Sequence, residues 1–262
     1  MTTESRIILT PGPVTTSTAT KEAMLRDYSP NEPELLALTA EFRRYLVTVV
    51  NGADAYECIP LQGAGNTANE ATLGTLVSRD RKLLIVNNGH YGARLKQIAA
   101  GIGVPFVSLD LPITEPAQPD QVDAALAADP NISHVVVCHV DTGTGLLNPL
   151  DEIAAVAKRR GVRLIVDAIA SFGGLPIDAP GLDLEAIVLS PNKWLEGMPG
   201  IALVVVKKDA LLAAEGRSHS FCLDLHRQWH SLTELGVWRF TPPAQSIAAL
   251  CAALRDLSLI HI

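Results

Sequence analysis

Short apolar runs, most of them rich in Val, Ile and Leu, recur along the chain at residues 82–87, 105–109, 134–139, 163–167, 186–189 and 202–206. Each is too short for a helix and is bounded by turn-forming or polar residues, so each predicts a strand buried on both faces. Between them, residues 91–102, 119–128 and 150–160 return apolar side chains every three or four positions, which predicts helices with one face on a core. A further helix is predicted to open near Gly65 and to run to Leu76. Strands alternating with helices predict an α/β domain on a mostly parallel sheet covered by helices. In such sheets the loops beyond the strands' carboxyl ends gather at one edge, and ligands bind there. No internal repeat or low-complexity linker interrupts the pattern.

Two of these strand ends carry candidate chemistry. The run 163–167 ends on Asp167, and one short βαβ step later Leu189-Ser190-Pro191-Asn192-Lys193-Trp194-Leu195-Glu196-Gly197 sets a lysine among small and apolar residues. A lysine held in that way loses its proton more readily and can form a Schiff base with an aldehyde cofactor. An acid at a strand's carboxyl end can hold a pyridinium nitrogen protonated, which makes the ring an electron sink. Alone, a lysine after a Pro-Asn turn reads as a solvated loop residue and a strand-end Asp as a helix cap. Together they point to a pyridoxal phosphate (PLP) site.

Other segments leave two readings open. Gly63-Ala64-Gly65-Asn66-Thr67 opens a helix with small residues, which suits a phosphate but also an ordinary helix start capped by Asn66 or Thr67. Asp141-Thr142-Gly143-Thr144-Gly145 ends another strand, where its hydroxyls serve a cofactor's phenolic oxygen or merely turn the chain. Tyr91, beside Gly89 and Gly92, covers a ring face or fills a core.

At 262 residues the chain can bury one large core, or one domain and the start of another. Hydrophobic residues are 48% and charged residues 19%, with no apolar run long enough to span a bilayer and no secretory leader pattern, so a soluble cytoplasmic protein is expected. Cys58, Cys138, Cys222 and Cys251 lie far apart without metal-ligand spacing and read as reduced core or incidental thiols. A net charge of −7 argues against a nucleic-acid surface, and an anionic substrate then needs a local cationic pocket.

Several stretches also form a recognisable set: Leu9-Thr10-Pro11-Gly12-Pro13-Val14-Thr15-Thr16-Ser17, Asn88-Gly89-His90-Tyr91-Gly92, Thr144-Gly145-Leu146-Leu147-Asn148-Pro149 and Val166-Asp167-Ala168-Ile169-Ala170-Ser171-Phe172-Gly173. To these are added Asn192-Lys193-Trp194-Leu195-Glu196-Gly197-Met198-Pro199-Gly200, Ser220-Phe221-Cys222-Leu223-Asp224-Leu225 and Trp238-Arg239-Phe240-Thr241-Pro242-Pro243. In these the chain resembles, over nearly its whole length, the class V, fold-type I aminotransferases. The opening stretch and the one around Thr241 point to their phosphonate branch.

The resemblance implies PLP as cofactor, and transfer of the amino group of 2-aminoethylphosphonate to pyruvate in phosphonate catabolism. It implies Lys193 as Schiff-base lysine and proton shuttle, Asp167 as pyridinium partner, Ile169 as apolar floor under the ring and Tyr91 over the opposite face. Ala64, Gly65 and Asn66 would bind the phosphate, Asn192 would add a bond beside the lysine, and Thr142 would approach the ring's oxygen. Thr241 would reach the phosphate in a neighbouring subunit, which implies a homodimer with shared active sites. The chain departs from the family at Ala64-Gly65-Asn66-Thr67, which usually reads Ser-Gly-Thr-Phe, so weaker cofactor binding is expected. It departs again at Asp141, Gly143, Trp194 and the stretch 27–33 near the substrate entrance. Asn192 replaces the His that same-superfamily cysteine desulfurases carry before the lysine, which disfavours that activity.

The family continues into a small α/β domain that closes over the substrate and carries its anion-binding arginine. The expected organisation here is an N-terminal segment plus PLP-binding large domain over 1–256, a tail at 257–262 foreign to the family, and no small domain. The segment 248–256 is then expected to expose apolar side chains such as Leu250 and Leu254. Two alternatives stay open: a class V transaminase using glyoxylate or pyruvate with a small amino acid, and a truncated, inactive PLP-fold fragment.

Overall fold

The computed structural model describes residues 7–257. Its centre is a seven-stranded sheet of β1 (Tyr56–Gly63), β2 (Lys82–Asn87), β3 (Phe106–Asp110), β4 (Ile132–Cys138), β5 (Arg163–Asp167), β6 (Leu184–Leu189) and β7 (Gly200–Lys207). The order across the sheet is β1-β7-β6-β5-β4-β2-β3. From β3 to β6 neighbours run parallel, whereas β7 is antiparallel to both β6 and β1. The six runs singled out in the sequence are six of these strands, shifted by at most two residues at an end.

Helices α1 (Thr18–Glu22), α2 (Pro33–Val49), α3 (Gly65–Leu76), α4 (His90–Gly101), α5 (Pro119–Ala128), α6 (Leu150–Arg160), α7 (Lys208–Ala213), α8 (Leu225–Glu234) and α9 (Ala244–Leu257) surround the sheet. Alternation along the strands divides the core. Leu84, Val86, Val135 and Val137 face one side with Phe42 of α2, Ile153 of α6 and Leu250 of α9. Leu83, Ile85, Val136 and Ile165 face the other with Leu73 of α3, Leu95 of α4 and Leu211 of α7. Because both faces are covered, the strands read as continuous apolar runs rather than alternating ones.

The βαβ step expected between Asp167 and Lys193 is not there: residues 168–183, which join β5 to β6, form turns with no helix. Gly173, Gly174, Pro176, Pro180 and Gly181 disfavour a helix in this stretch. Its polar backbone is satisfied instead by neighbours. The Tyr56 hydroxyl donates to the carbonyls of Ala179 at 2.9 Å and Leu184 at 2.6 Å, and Ala179 N donates to the Val50 carbonyl.

The exposure expected of Leu250 and Leu254 is also corrected. They are 0% and 3% exposed, because α9 folds back onto α2. There the Cys251 thiol meets the Leu38 carbonyl and the Arg255 guanidinium grips the Glu41 carboxylate through both nitrogen–oxygen pairs. Of the tail at 257–262, Leu257 closes α9 and packs partly buried against the core, and residues 258–262 lie outside the described ones. Cys58, Cys138 and Cys251 are buried and Cys222 is exposed, all as free thiols. Among the described residues, no helix is long and apolar enough to cross a membrane, and no group of acids, histidines and cysteines is placed to hold a metal.

Candidate active site

Asp167 is the last residue of β5, held in register between Cys138 of β4 and Val188 of β6 and only 2% exposed. Its Oδ2 accepts from Asn69 Nδ2 at 2.8 Å and its Oδ1 from the Ile169 amide at 3.0 Å. Burial pushes its pKa up, the two hydrogen bonds pull it back, nearby Asp141 pushes it further up and Lys193 pulls it down. Lys193 lies four residues beyond β6, in a turn closed by Glu196 N on the Lys193 carbonyl and Gly197 N on the Pro191 carbonyl. Burial lowers the pKa of its amine, partly offset by the Asp167 charge. The N-terminal segment lies against this side chain: a Cβ added to Gly12 would sit 2.3 Å from Lys193 Cδ and 2.9 Å from its Nζ. Only a residue without a side chain allows that approach.

The α3 helix begins at the sheet edge where β1 ends. Its N-cap, Ala64, offers no side-chain acceptor, so the first-turn amides are left without the usual cap. The Thr67 hydroxyl, the alternative cap, instead accepts from the Ala64 amide at 3.2 Å. Gly65 is buried against Ile169, whose Cδ1 would lie 2.5 Å from an added Cβ. Asn69, one turn further on, is the donor to Asp167. One helix therefore presents free amides at its start and orients the strand-end carboxylate from its next turn.

Lys193 and Thr142 line one cleft of about 410 Å³, together with Thr10, Val14, Val140 and Trp194. Ala64, Gly65, Asn66, Asn192 and Thr241 are not among its lining residues. Tyr91 is half-buried at the start of α4, under the Arg94 guanidinium at 5.7 Å from its ring centre. Its amide donates to Asp141 Oδ2 at 2.9 Å, and Asp141 Oδ1 accepts from the amides of Gly143 and Thr144. Asp141 thus closes its own turn and ties it to α4. Asn192 accepts a hydrogen bond from Ser190, and the carbonyl of exposed Thr241 accepts from Gln62 Nε2 at 2.6 Å.

Three of these features were missed in the sequence: Asn69, Gly12 as the neighbour of Lys193, and the capping role of Asp141. A buried asparagine on a helix that otherwise buries Ala, Gly, Thr and Leu was the available signal for the first.

The residues present fit PLP. Asp167 is a buried carboxylate whose hydrogen-bond donors are both neutral, so a pyridinium N–H would supply the charge its surroundings lack. The uncapped start of α3 suits a phosphate dianion. Lys193 offers an amine with a lowered pKa in a cleft of ligand size.

Residues 19–262 match the profile of the Aminotransferase class-V family. Over 248 residues the chain is 50% identical to the 2-aminoethylphosphonate--pyruvate transaminase of Burkholderia pseudomallei, covering 95% of this chain and 67% of that protein. It is 47% identical over 250 residues to the protein of the same name from Pseudomonas putida, with 95% and 68% covered. Its structure superposes on the pyridoxamine-pyruvate aminotransferase of Mesorhizobium loti with a TM-score of 0.88 at 26% identity, over 98% of this chain and 66% of that one. Against the alanine--glyoxylate aminotransferase of Nostoc sp. the TM-score is 0.90 at 25% identity, over 98% and 68%. The chain therefore spans about two thirds of the length of these relatives. Matched by the family profile from α1 onward, and half identical to transaminases over nearly all of its length, the chain belongs to the class-V aminotransferase family.

Proposed function

We propose that this chain is the cofactor-holding part of a PLP-dependent aminotransferase that moves the amino group of 2-aminoethylphosphonate to pyruvate, giving phosphonoacetaldehyde and L-alanine. The observation that carries the reading is the pair formed by Asp167, a carboxylate buried at the end of β5 with two neutral donors, and Lys193, which lines the cleft from the turn after the neighbouring strand β6. The choice of substrates rests on the transaminases that are about half identical to this chain.

When bound, PLP supplies an electron sink that stabilises negative charge on the carbon bearing the transferred amine. The chain's own residues do the rest. Lys193 Nζ would hold the cofactor covalently through its aldehyde carbon and would carry the proton that the amino transfer moves. Asp167 holds positive charge at the ring nitrogen, and Asn69 keeps its carboxylate turned to that task. The first amides of α3 at Gly65 and Asn66, with Ala64 and the Asn66 side chain, hold the phosphate. Ile169 would form the floor, Tyr91 would cover the opposite face, Thr142 would approach the ring oxygen and Asn192 would add a bond beside the lysine. Thr241 reaches the site of a second copy, so the working unit is a homodimer with shared sites. Its setting is the cytoplasm, where exposed Cys222 stays reduced.

The test begins with the purified chain, PLP and borohydride, followed by peptide mapping. The label is expected on Lys193. A label on Lys207 or Lys208, or folded protein without label, overturns the cofactor reading. A screen of amino donors against pyruvate and glyoxylate, in a form with the relatives' full length, then decides the substrate. Preference for a small amino acid with glyoxylate overturns the phosphonate assignment.

A further inference from the structure

Trp194 directly follows the reactive lysine and is 57% exposed, an unusual place for the largest side chain in the segment. Two contacts hold it. Its Nε1 donates to the Ala170 carbonyl at 2.9 Å, and Ala170 is the third residue after Asp167. Its ring packs closely against Gly174: an added Cβ there would fall 2.4 Å from Cε2, 2.6 Å from Cδ2 and 2.7 Å from Nε1. The next residue, Leu195, is fully buried, and its Cδ2 would be 3.2 Å from a Cβ at Gly173.

The backbone hydrogen bonds of the lysine turn are internal to it, from Glu196 N to Lys193 and from Gly197 N to Pro191, and Asn192 accepts from the adjoining Ser190. Among the described residues between Pro191 and Met198, the indole N–H makes the hydrogen bond that reaches the 168–174 turn. What it reaches is the stretch that begins at Asp167. Pairing of β5 with β6 sets Asp167 beside Val188, but beyond Leu189 the lysine turn shares no helix and no strand pairing with the 168–174 turn, and the indole joins these two turns.

We propose that Trp194 is a positioning residue for Lys193: its indole bolts the lysine turn to the 168–174 turn and so fixes the lysine amine relative to the Asp167 carboxylate. The inference rests on the reading of Lys193 and Asp167 as the reacting pair. Trp194 also lines the cleft that Lys193 lines, so removing its ring would open a wall of that cleft to water. Since burial is the largest influence on that amine, losing the wall outweighs any weakened attraction to Asp167, and the pKa of Lys193 rises.

The experiment uses the 262-residue chain without cofactor and measures acetylation of Lys193 by trace acetic anhydride as a function of pH, read by peptide mass. W194A is expected to move the midpoint up by about one pH unit, toward an ordinary lysine. G174A, which keeps the indole but removes its seat, moves it in the same direction. W194F, which keeps a ring without the N–H, moves it by less. A second measurement titrates PLP by its absorbance, where W194A and G174A are expected to weaken binding about tenfold, the loss of one well-placed contact. Unchanged Lys193 midpoints in W194A and G174A, with circular dichroism showing intact folds, overturn the proposal. So does a change in sedimentation alone, which would make Trp194 a subunit contact. Failure of the wild-type chain to take PLP on Lys193 would sink the functional reading, while the acetylation profiles still report on the clamp.

Discussion

Asp167 is buried with two neutral donors, and its charge is tolerated at a cost. Its folded-state pKa is raised, so its contribution to stability is whole below the unfolded carboxylate value of about 4 and is lost as pH rises through the raised value. Asp167→Asn removes that loss. Asn69 Oδ1, buried without a partner, can turn toward the new amide, and the Ile169 amide keeps an acceptor. The expected result is a cofactor-free D167N chain more stable than wild type at neutral pH by about 1–2 kcal/mol, with the gap closing below about pH 4. Thermal melts across pH 3.5–8 check this, and a D167N chain less stable at pH 7 would refute it. Catalysis separates the same residues differently. In a form with the relatives' full length, Asp167→Ala should keep PLP on Lys193 but slow single turnovers at saturating PLP by about a hundredfold or more, whereas Asn66→Ala should mainly weaken PLP binding. Equal effects on the single-turnover rate would show that the two residues do not divide the work in this way. Asp167 and Lys193 were legible in the sequence because one ends a continuous apolar strand and the other lies shortly beyond the next. Asn69 and Gly12 were not, since one acts across 98 residues of sequence and the other through a contact that only folding creates.

Parallel strands buried on both faces are long apolar words, and all the parallel strands were legible for that reason. The edge strand β1 was not. Glu57, Pro60 and Gln62 break its apolar run, and Pro60 is accommodated because β1 pairs on one side only. The α9 helix was misread for a different reason. Its apolar face was assigned to an absent domain, whereas α2, a helix never marked in the sequence despite Pro33 at its start, covers it. Two substitutions test this packing. Leu250→Ala should destabilise the chain by about 2–5 kcal/mol, while Leu235→Ala, at a side chain 66% exposed, should stay within about 0.5 kcal/mol. Urea unfolding measures both, and a harmless L250A would return α9 to the surface. The start of α3 carries a finer prediction. Gly65→Ala drives a methyl into the Cδ1 end of Ile169, which can swing aside at little cost to the fold but then leaves the place proposed for it under the ring. PLP affinity should fall about tenfold, by roughly 1.4 kcal/mol, with the melting temperature nearly unchanged. A melting temperature that falls while PLP binding holds would mean that Ile169 serves the core alone.

Among the described residues, those proposed to grip a cofactor are in place, and the cleft beside Lys193 shows no guanidinium to grip a substrate anion. Among the described residues lining the cleft, Lys193 is the cation and Glu196 the anion, so the cleft offers a phosphonate no net positive charge once Lys193 is engaged. The net charge of −7 adds no steering toward it. A charge-assisted bidentate clamp is worth several times an ordinary hydrogen bond, and the about two-thirds span relative to the full-length transaminases leaves room for one elsewhere in their chains. The 262-residue chain alone should therefore take PLP on Lys193 yet transaminate 2-aminoethylphosphonate feebly. Supplying the remaining third from the Burkholderia pseudomallei relative should raise kcat/KM by at least about a hundredfold, equivalent to roughly 2.7 kcal/mol of transition-state binding. Coupling alanine formation to a dehydrogenase measures both forms at equal PLP occupancy. Equal turnover by the two would place the phosphonate on a group already within these 262 residues. Arg239 is the first to replace in that case, since its guanidinium lies over the exposed ring of Phe221 and the half-buried ring of Phe240 and makes no ion pair among the described residues, two residues before Thr241.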